Sequence, residues 1–250
     1  MAEDIDRHEA VERLAEQIER SRLARLRQVD ESGLRPECAI LADWQSRRLR
    51  HTYSDLLASE RYRPAVEFFL SDLYGARDFS ARDEGVERVY PLISRVLPGK
   101  AVHTISKGIE LHALSQELDL DMVAVLWGEL GVTDRLDADV YAEAWRRCHN
   151  EPQRRRQIAL VAEVGHSLDD VVFKPMIYNA VRMARTPARV AGLSELHDFI
   201  ERGFVAFRKM RGSGVFLDAI FTRENQILDA ILAGEPTDSW APPDDSSESA

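Results

Sequence analysis

The sequence predicts an all-α protein, a single irregular bundle of roughly eight to ten helices followed by a disordered acidic tail. Three observations carry this. Almost every segment repeats its apolar residues at the helical spacing, and none sustains the period-two alternation of a half-buried strand. Prolines stand where helices open and glycines where they stop. The 250 residues, 44% of them hydrophobic, suffice for a sizeable core without metal or disulfide staples.

Residues 4–30 read as a charged helix with the stripe Val11, Ala15, Ile18, Leu26 and Val29. Arg22 interrupts that stripe, so this helix is expected at the edge of the body. Pro36 opens the next helix, where Cys38, Leu41, Ala42, Leu49, Tyr53 and Leu56 share a face. Pro64 then sits in a first turn, where its missing N–H costs nothing, and Gly75 where a helix ends. Between them Val66, Phe69, Leu70 and Leu73 form a dense apolar face that Phe68 extends.

Ser80 is placed as the cap of a helix over 81–97, which Pro91 should kink or break. Further helices are expected at 101–118, 121–130 and 137–149, with Asp121 and Asp137 as starts and Gly131 as a stop. The apolar run Ile158 to Val164, broken by Glu163, marks 153–172 as a central helix. Pro175 opens a helix to Arg185, after which Pro187 breaks the pattern. Ser194 is placed as the cap of a helix to Arg211, and a last helix covers 214–233. Residues 1–233 are thus expected to form one domain. From Gly234 to Ala250, Pro, Ser, Asp and Glu dominate, so a disordered tail is expected, Trp240 included.

The formal net charge of −10 argues against broad binding to nucleic acid or anionic lipid. Half of that charge belongs to the tail, in Glu235, Asp238, Asp244, Asp245 and Glu248. The basic clusters Arg47, Arg48, Arg50 and Arg154, Arg155, Arg156 read as solvated helix faces. Cys38 and Cys148, far apart and without CxxC spacing, read as buried thiols in a reducing cytoplasm. The longest apolar run, Met122 to Trp127, is too short to span a bilayer, so a soluble cytoplasmic protein is expected.

Candidate site residues are few. Glu224 lies in a stripe formed by Leu217, Ile220, Ile227, Leu228 and Ile231, so its carboxylate points into apolar surroundings and needs a cation or a proton. Arg208, Arg211 or Arg182 could supply the cation, and a buried ion pair or a polar spot in a ligand pocket would both fit. Phe68, Phe69, Tyr74 and Tyr53 form the matching aromatic set, as core or as a cavity lining. Glu163 and His166 have the Glu-x-x-His spacing of di-metal carboxylate proteins, but such a site needs two of these motifs. His112, flanking Val102, Ile105 and Ile109, is the one further histidine that a metal or haem could use. Gly203, on the face of Leu196, Phe199 and Phe207, permits close approach of another helix. No phosphate loop, nucleophile elbow or paired-cysteine zinc motif is present in the sequence.

The stretch Glu67-Phe-Phe-Leu-Ser-Asp-Leu-Tyr-Gly-Ala-Arg-Asp-Phe-Ser-Ala-Arg-Asp83 resembles an uncharacterised proteobacterial family known for a FFLEELY motif. Phe68, Phe69, Leu70, Leu73 and Tyr74 agree with the motif, while Ser71 and Asp72 stand where it has two glutamates. The resemblance implies bacterial origin and transfers no activity and no catalytic residue. The reading is therefore a non-enzymatic protein, without catalytic residue or cofactor, that binds a partner protein or a small ligand in an interhelical groove. The alternative is a helical metal or haem protein, or an enzyme, using His112 or Glu163 and His166.

Overall fold

A computed structural model describes residues 6–73, 75 and 78–243, and the fold is all-α. The helices are α1 (Arg7–Gln28), α2 (Pro36–Thr52), α3 (Ser54–Ala58), α4 (Arg63–Phe68), α5 (Ser80–Val96), α6 (Gly99–Gly128), α7 (Ala138–Arg147), α8 (Glu151–Val172), α9 (Pro175–Met183), α10 (Arg185–Val190), α11 (Ser194–Met210) and α12 (Gly214–Ala233). Between α1 and α2 the chain makes a two-rung hairpin, β1 (Val29–Asp30) against β2 (Gly33–Leu34).

Two cores divide the body. The first gathers Leu41 and Trp44 of α2, Met122 and Leu126 of α6, Tyr141 of α7 and Ile231 of α12. The second gathers Leu49 at the end of α2, Val66 of α4, Val161 of α8, Phe207 of α11 and Phe216 of α12. Helices α2 and α12 therefore run through both cores, one end in each.

Several boundaries differ from the sequence expectation, each for a physical reason. The helices expected at 101–118 and 121–130 are one, α6, of 30 residues. Asp119 and Asp121 do not break it, because interior Asp costs well under 1 kcal/mol in propensity. The apolar face continues across them through Leu118, Leu120, Met122 and Leu126, all buried. Asp121 starts no helix and instead accepts from Asn150 Nδ2 at 3.0 Å. Pro91 does not break α5: it lies on the exposed side, where water can take the freed carbonyl. Ser80 and Ser194 are first-turn residues rather than caps; at α5 Asp78 accepts from the Ser80 N–H at 2.8 Å. Asp137 does cap α7, accepting from Val140 N at 2.8 Å.

Helix α1 packs along α6 on a seam that is apolar at one end and polar at the other. Ala10 and Leu14 meet Val102, whereas Ser21 donates to Gln116 at 3.0 Å and Arg20 pairs with Glu117 at 2.6 Å. Leu26, assigned to the buried stripe from its spacing, is exposed, because this end of the seam is closed by polar pairs. The tail expectation is corrected at its near end. Residues Thr237–Ser239 form a 3-10 turn, and Trp240, 4% exposed, packs edge-on against Trp44 at 6.3 Å. An indole that reaches an open core edge gains more from burial than a short polar segment loses in entropy. Residues 244–250 lie outside the described residues, as does Tyr74. Among the described residues no helix is long and apolar enough to cross a membrane.

Candidate functional site

Where the two cores meet, the packing leaves a cavity of about 70 Å³. Helix α2 contributes Gln45, Arg48 and Leu49, with Tyr53 just past its end; α8 contributes Arg154, Gln157, Ile158 and Val161. Asp119 of α6, Tyr141 and Trp145 of α7, and Phe216, Ile220 and Glu224 of α12 complete most of the wall. The rest comes from Val66 of α4 and from Phe69 and Leu70 in a single π-helical turn, Phe69–Leu73, that continues α4.

Adjacent aromatic residues at the junction of α4 and the π turn point to different neighbours. Phe69 meets Phe216 at 5.6 Å and lines the cavity. Phe68 faces α11 instead, 5.4 Å from Phe199, on the spot that Gly203 leaves open. A Cβ at position 203 would stand 3.1 Å from the Phe68 ring, so what approaches this glycine is a ring rather than a helix backbone. The same turn buries Asp72, which receives Arg202 Nη2 at 2.5 Å.

Glu224 accepts from Arg48 Nη1 at 2.6 Å and from the Tyr53 hydroxyl at 2.7 Å. Its cation is therefore Arg48, and not Arg208, Arg211 or Arg182 as the sequence suggested. Arg48 is 6% exposed rather than on a solvated face. Desolvation opposes its charge, but the Glu224 carboxylate outweighs that and holds the guanidinium above its ordinary value. Arg154, also expected on a solvated face, is 4% exposed; its Nη2 donates to Leu118 O at 3.2 Å and its guanidinium lies 4.4 Å over the Trp145 ring. Asp119 accepts from Gln45 Nε2 at 2.9 Å, and burial pushes its carboxyl up from the ordinary range.

Arg48 Nε and Arg154 Nε, both buried, have no hydrogen-bond partner, and Trp145 Nε1 has only the Tyr141 hydroxyl beside it, in a contact short of good hydrogen-bond geometry. Buried N–H groups are nearly always paired with protein or water, so these three donors in one cavity wall offer places for an acceptor, water or ligand. Trp145 and Arg154 also line a second pocket of about 260 Å³, with His149, Asn150 and Leu228. Those two side chains are thus a wall common to both spaces.

Of the residues singled out from sequence, Tyr53, Phe69 and Glu224 come together here and Phe68 does not. Arg48 and Arg154 were missed, although the signal existed. Arg48 follows Leu41 and Trp44 at seven and four residues, and Arg154 precedes Ile158 and Val161 at four and seven, so both share the apolar face of their helices. The metal candidates lie elsewhere and each has protein partners. Glu163 receives Lys107 and Arg156, both at 2.8 Å, in a polar seam between α6 and α8. His166 Nδ1 is bonded to Ala162 O of its own helix at 2.7 Å, and His112 Nε2 lies 2.9 Å from Asp83 Oδ2. Among the described residues the His and carboxylate atoms that do cluster are those of His197, Asp198 and Glu201, where His197 Nε2 already meets Val181 O at 2.8 Å and Glu201 pairs with Arg185. Both thiols are free, and burial pushes Cys38 and Cys148 up to about 11, which keeps them protonated and unreactive at neutral pH.

The cavity wall mixes charged, polar and apolar side chains. Neither the curated proteins nor the solved structures contain a match to this chain. One family does match, over residues 24–238, a span that includes every wall residue of the cavity and the Glu67–Asp83 block. By that match the chain belongs to the family described as a domain of unknown function, DUF8198.

Proposed function

We propose that this protein binds a small polar molecule in the cavity between its two cores. The observation that carries the reading is that three buried donors without a well-formed hydrogen bond belong to side chains of one cavity wall. Each unmatched donor costs on the order of 1–3 kcal/mol, a penalty that a bound acceptor relieves. The mixed lining supports the same reading, because pockets for small molecules combine apolar walls with a few placed polar groups. A thermal-shift screen against small polar metabolites tests it. Saturable stabilisation is expected, of about 2.7 kcal/mol at a hundredfold excess over Kd. Ile158→Phe, which fills the cavity with a ring, should abolish the response while leaving the protein folded. A screen in which no compound stabilises the wild type would overturn the proposal.

A second reading, binding of a partner protein, draws on α9 and α10. Residues 173–193 hold Lys174, Arg182, Arg185 and Arg189 and no acid, and they expose Phe173, Met176, Met183 and Val190. In a chain of net charge −10, such a surface suits a partner with an acidic, apolar face. The double variant Met176→Glu, Met183→Glu should lose any such partner, and unchanged co-purification would dismiss this reading.

A further inference from the structure

The class of ligand can be narrowed, on the footing that the cavity is a binding site. Arg154 is the least compensated charge in it. Its Nε has no acceptor, its Nη2 has only a backbone carbonyl, and its face rests on Trp145. Among the described residues no carboxylate stands within ion-pair distance of it. Arg48, the other guanidinium of the wall, already has Glu224. Asp119 shares the cavity and acts on Arg154 electrostatically from beyond ion-pair distance, while it accepts from Gln45. A buried guanidinium with no carboxylate in contact is unfavourable, and its planar fork matches a carboxylate bidentately.

Size and lining restrict the choice further. A cavity of about 70 Å³ suits a ligand of a few non-hydrogen atoms. Leu49, Val66, Phe69, Phe216 and Ile220 give the same wall apolar contact surface. We infer that the cavity takes a small aliphatic monocarboxylate, its head on Arg154 and Trp145 Nε1 and its short chain against Phe69 and Phe216. Because Arg154 and Trp145 also face the outer pocket, a carboxylate arriving there meets its receptor before it enters.

Titration of the full chain with acetate, propionate and butyrate at constant ionic strength tests this, with chloride, inorganic phosphate and propionamide as comparisons. The carboxylates should raise the melting temperature saturably and shift one indole N–H resonance, which Trp145→Phe removes from the spectrum. Trp145→Phe keeps the ring under Arg154 and should weaken binding about tenfold. Arg154→Met should abolish binding while keeping the wild-type circular-dichroism spectrum in carboxylate-free buffer. If Arg154→Met fails to fold, the Trp145→Phe titration decides alone. Equal stabilisation by chloride or phosphate would overturn the carboxylate assignment. Tighter binding of propionamide than propionate would overturn it too, while leaving the cavity a binding site. Absence of response to these compounds and to the wider metabolite screen would remove both.

Discussion

Glu224 keeps its charge in an apolar stripe because two donors from α2 and its edge, Arg48 and Tyr53, converge on one carboxylate oxygen. Removing either charge strands the other. Glu224→Ala should therefore cost about 3–5 kcal/mol in urea unfolding, whereas Arg48→Met with Glu224→Leu should lie within about 1 kcal/mol of wild type or above it. Asp83 shows the same physics through pH. Burial alone would push its carboxyl up, but His112 and Arg82 beside it outweigh that and hold it below the ordinary carboxylate range. A folded-state value below the unfolded one, about 3.9, means stability that is present above that pH and lost as pH falls through the folded value. The gap in urea midpoint between wild type and Asp83→Asn should accordingly persist at pH 5 and narrow steadily below about pH 4. Of these charged groups, Glu224 was legible in the sequence because a lone acid among Leu217, Ile220 and Ile231 has no solvated reading. Arg48 and Arg154 were obscured by their neighbours: next to Arg47 and Arg155, which do reach solvent, a basic run looks uniform although its members point a hundred degrees apart.

At the scale of elements, the close crossing of α8 over α12 is set by Gly165. A Cβ there would fall 2.4 Å from Leu217 Cδ2, too close for a packed core to absorb without a shift. Gly165→Ala should destabilise by about 1–3 kcal/mol through overpacking. Gly108, inside α6 with open space around it, provides the opposite sign: Gly108→Ala should stabilise by about 0.5–1 kcal/mol through backbone entropy alone. Differential melting of the two variants separates packing from propensity. The position of Gly165 was readable, because Val161, Gly165, Leu168 and Val172 follow one helical face. The π turn at Phe69–Leu73 was not, since its apolar spacing fits an ordinary helix and only the demand to bury both Leu70 and Asp72 widens it. Nor was the continuity of α6, where the local signal for a helix start at Asp121 is outweighed by burial against α2 and α7.

Across the whole molecule, stability is unevenly spread, and that spread follows from which helices thread both cores. Helices α2 and α12 each supply buried residues to the two clusters, and Trp240 closes the edge of the first. Trp240 was unreadable in advance because its flanking residues, Pro, Ser and Asp, carry the composition of a tail; only the gap beside Trp44 and Tyr141 gives the indole a site. Helices α9 and α10 are the opposite case. Neither contributes a buried residue, although the proline start of α9 and the short apolar runs of both resemble those of the core helices. Segments with few buried contacts open at a small fraction of the global unfolding free energy. Arg182, Arg185 and Arg189 place three tryptic sites in that segment. Limited trypsin digestion should thus cut first between Arg182 and Arg189 and leave two fragments that co-elute, held by the packing of α8 against α12. Earlier cleavage within α6 or α12 would contradict this order. A compound bound in the central cavity should slow later cuts in α2, α8 and α12, whose side chains form its wall, and leave the first cut at its original rate, because no residue of α9 or α10 touches that space.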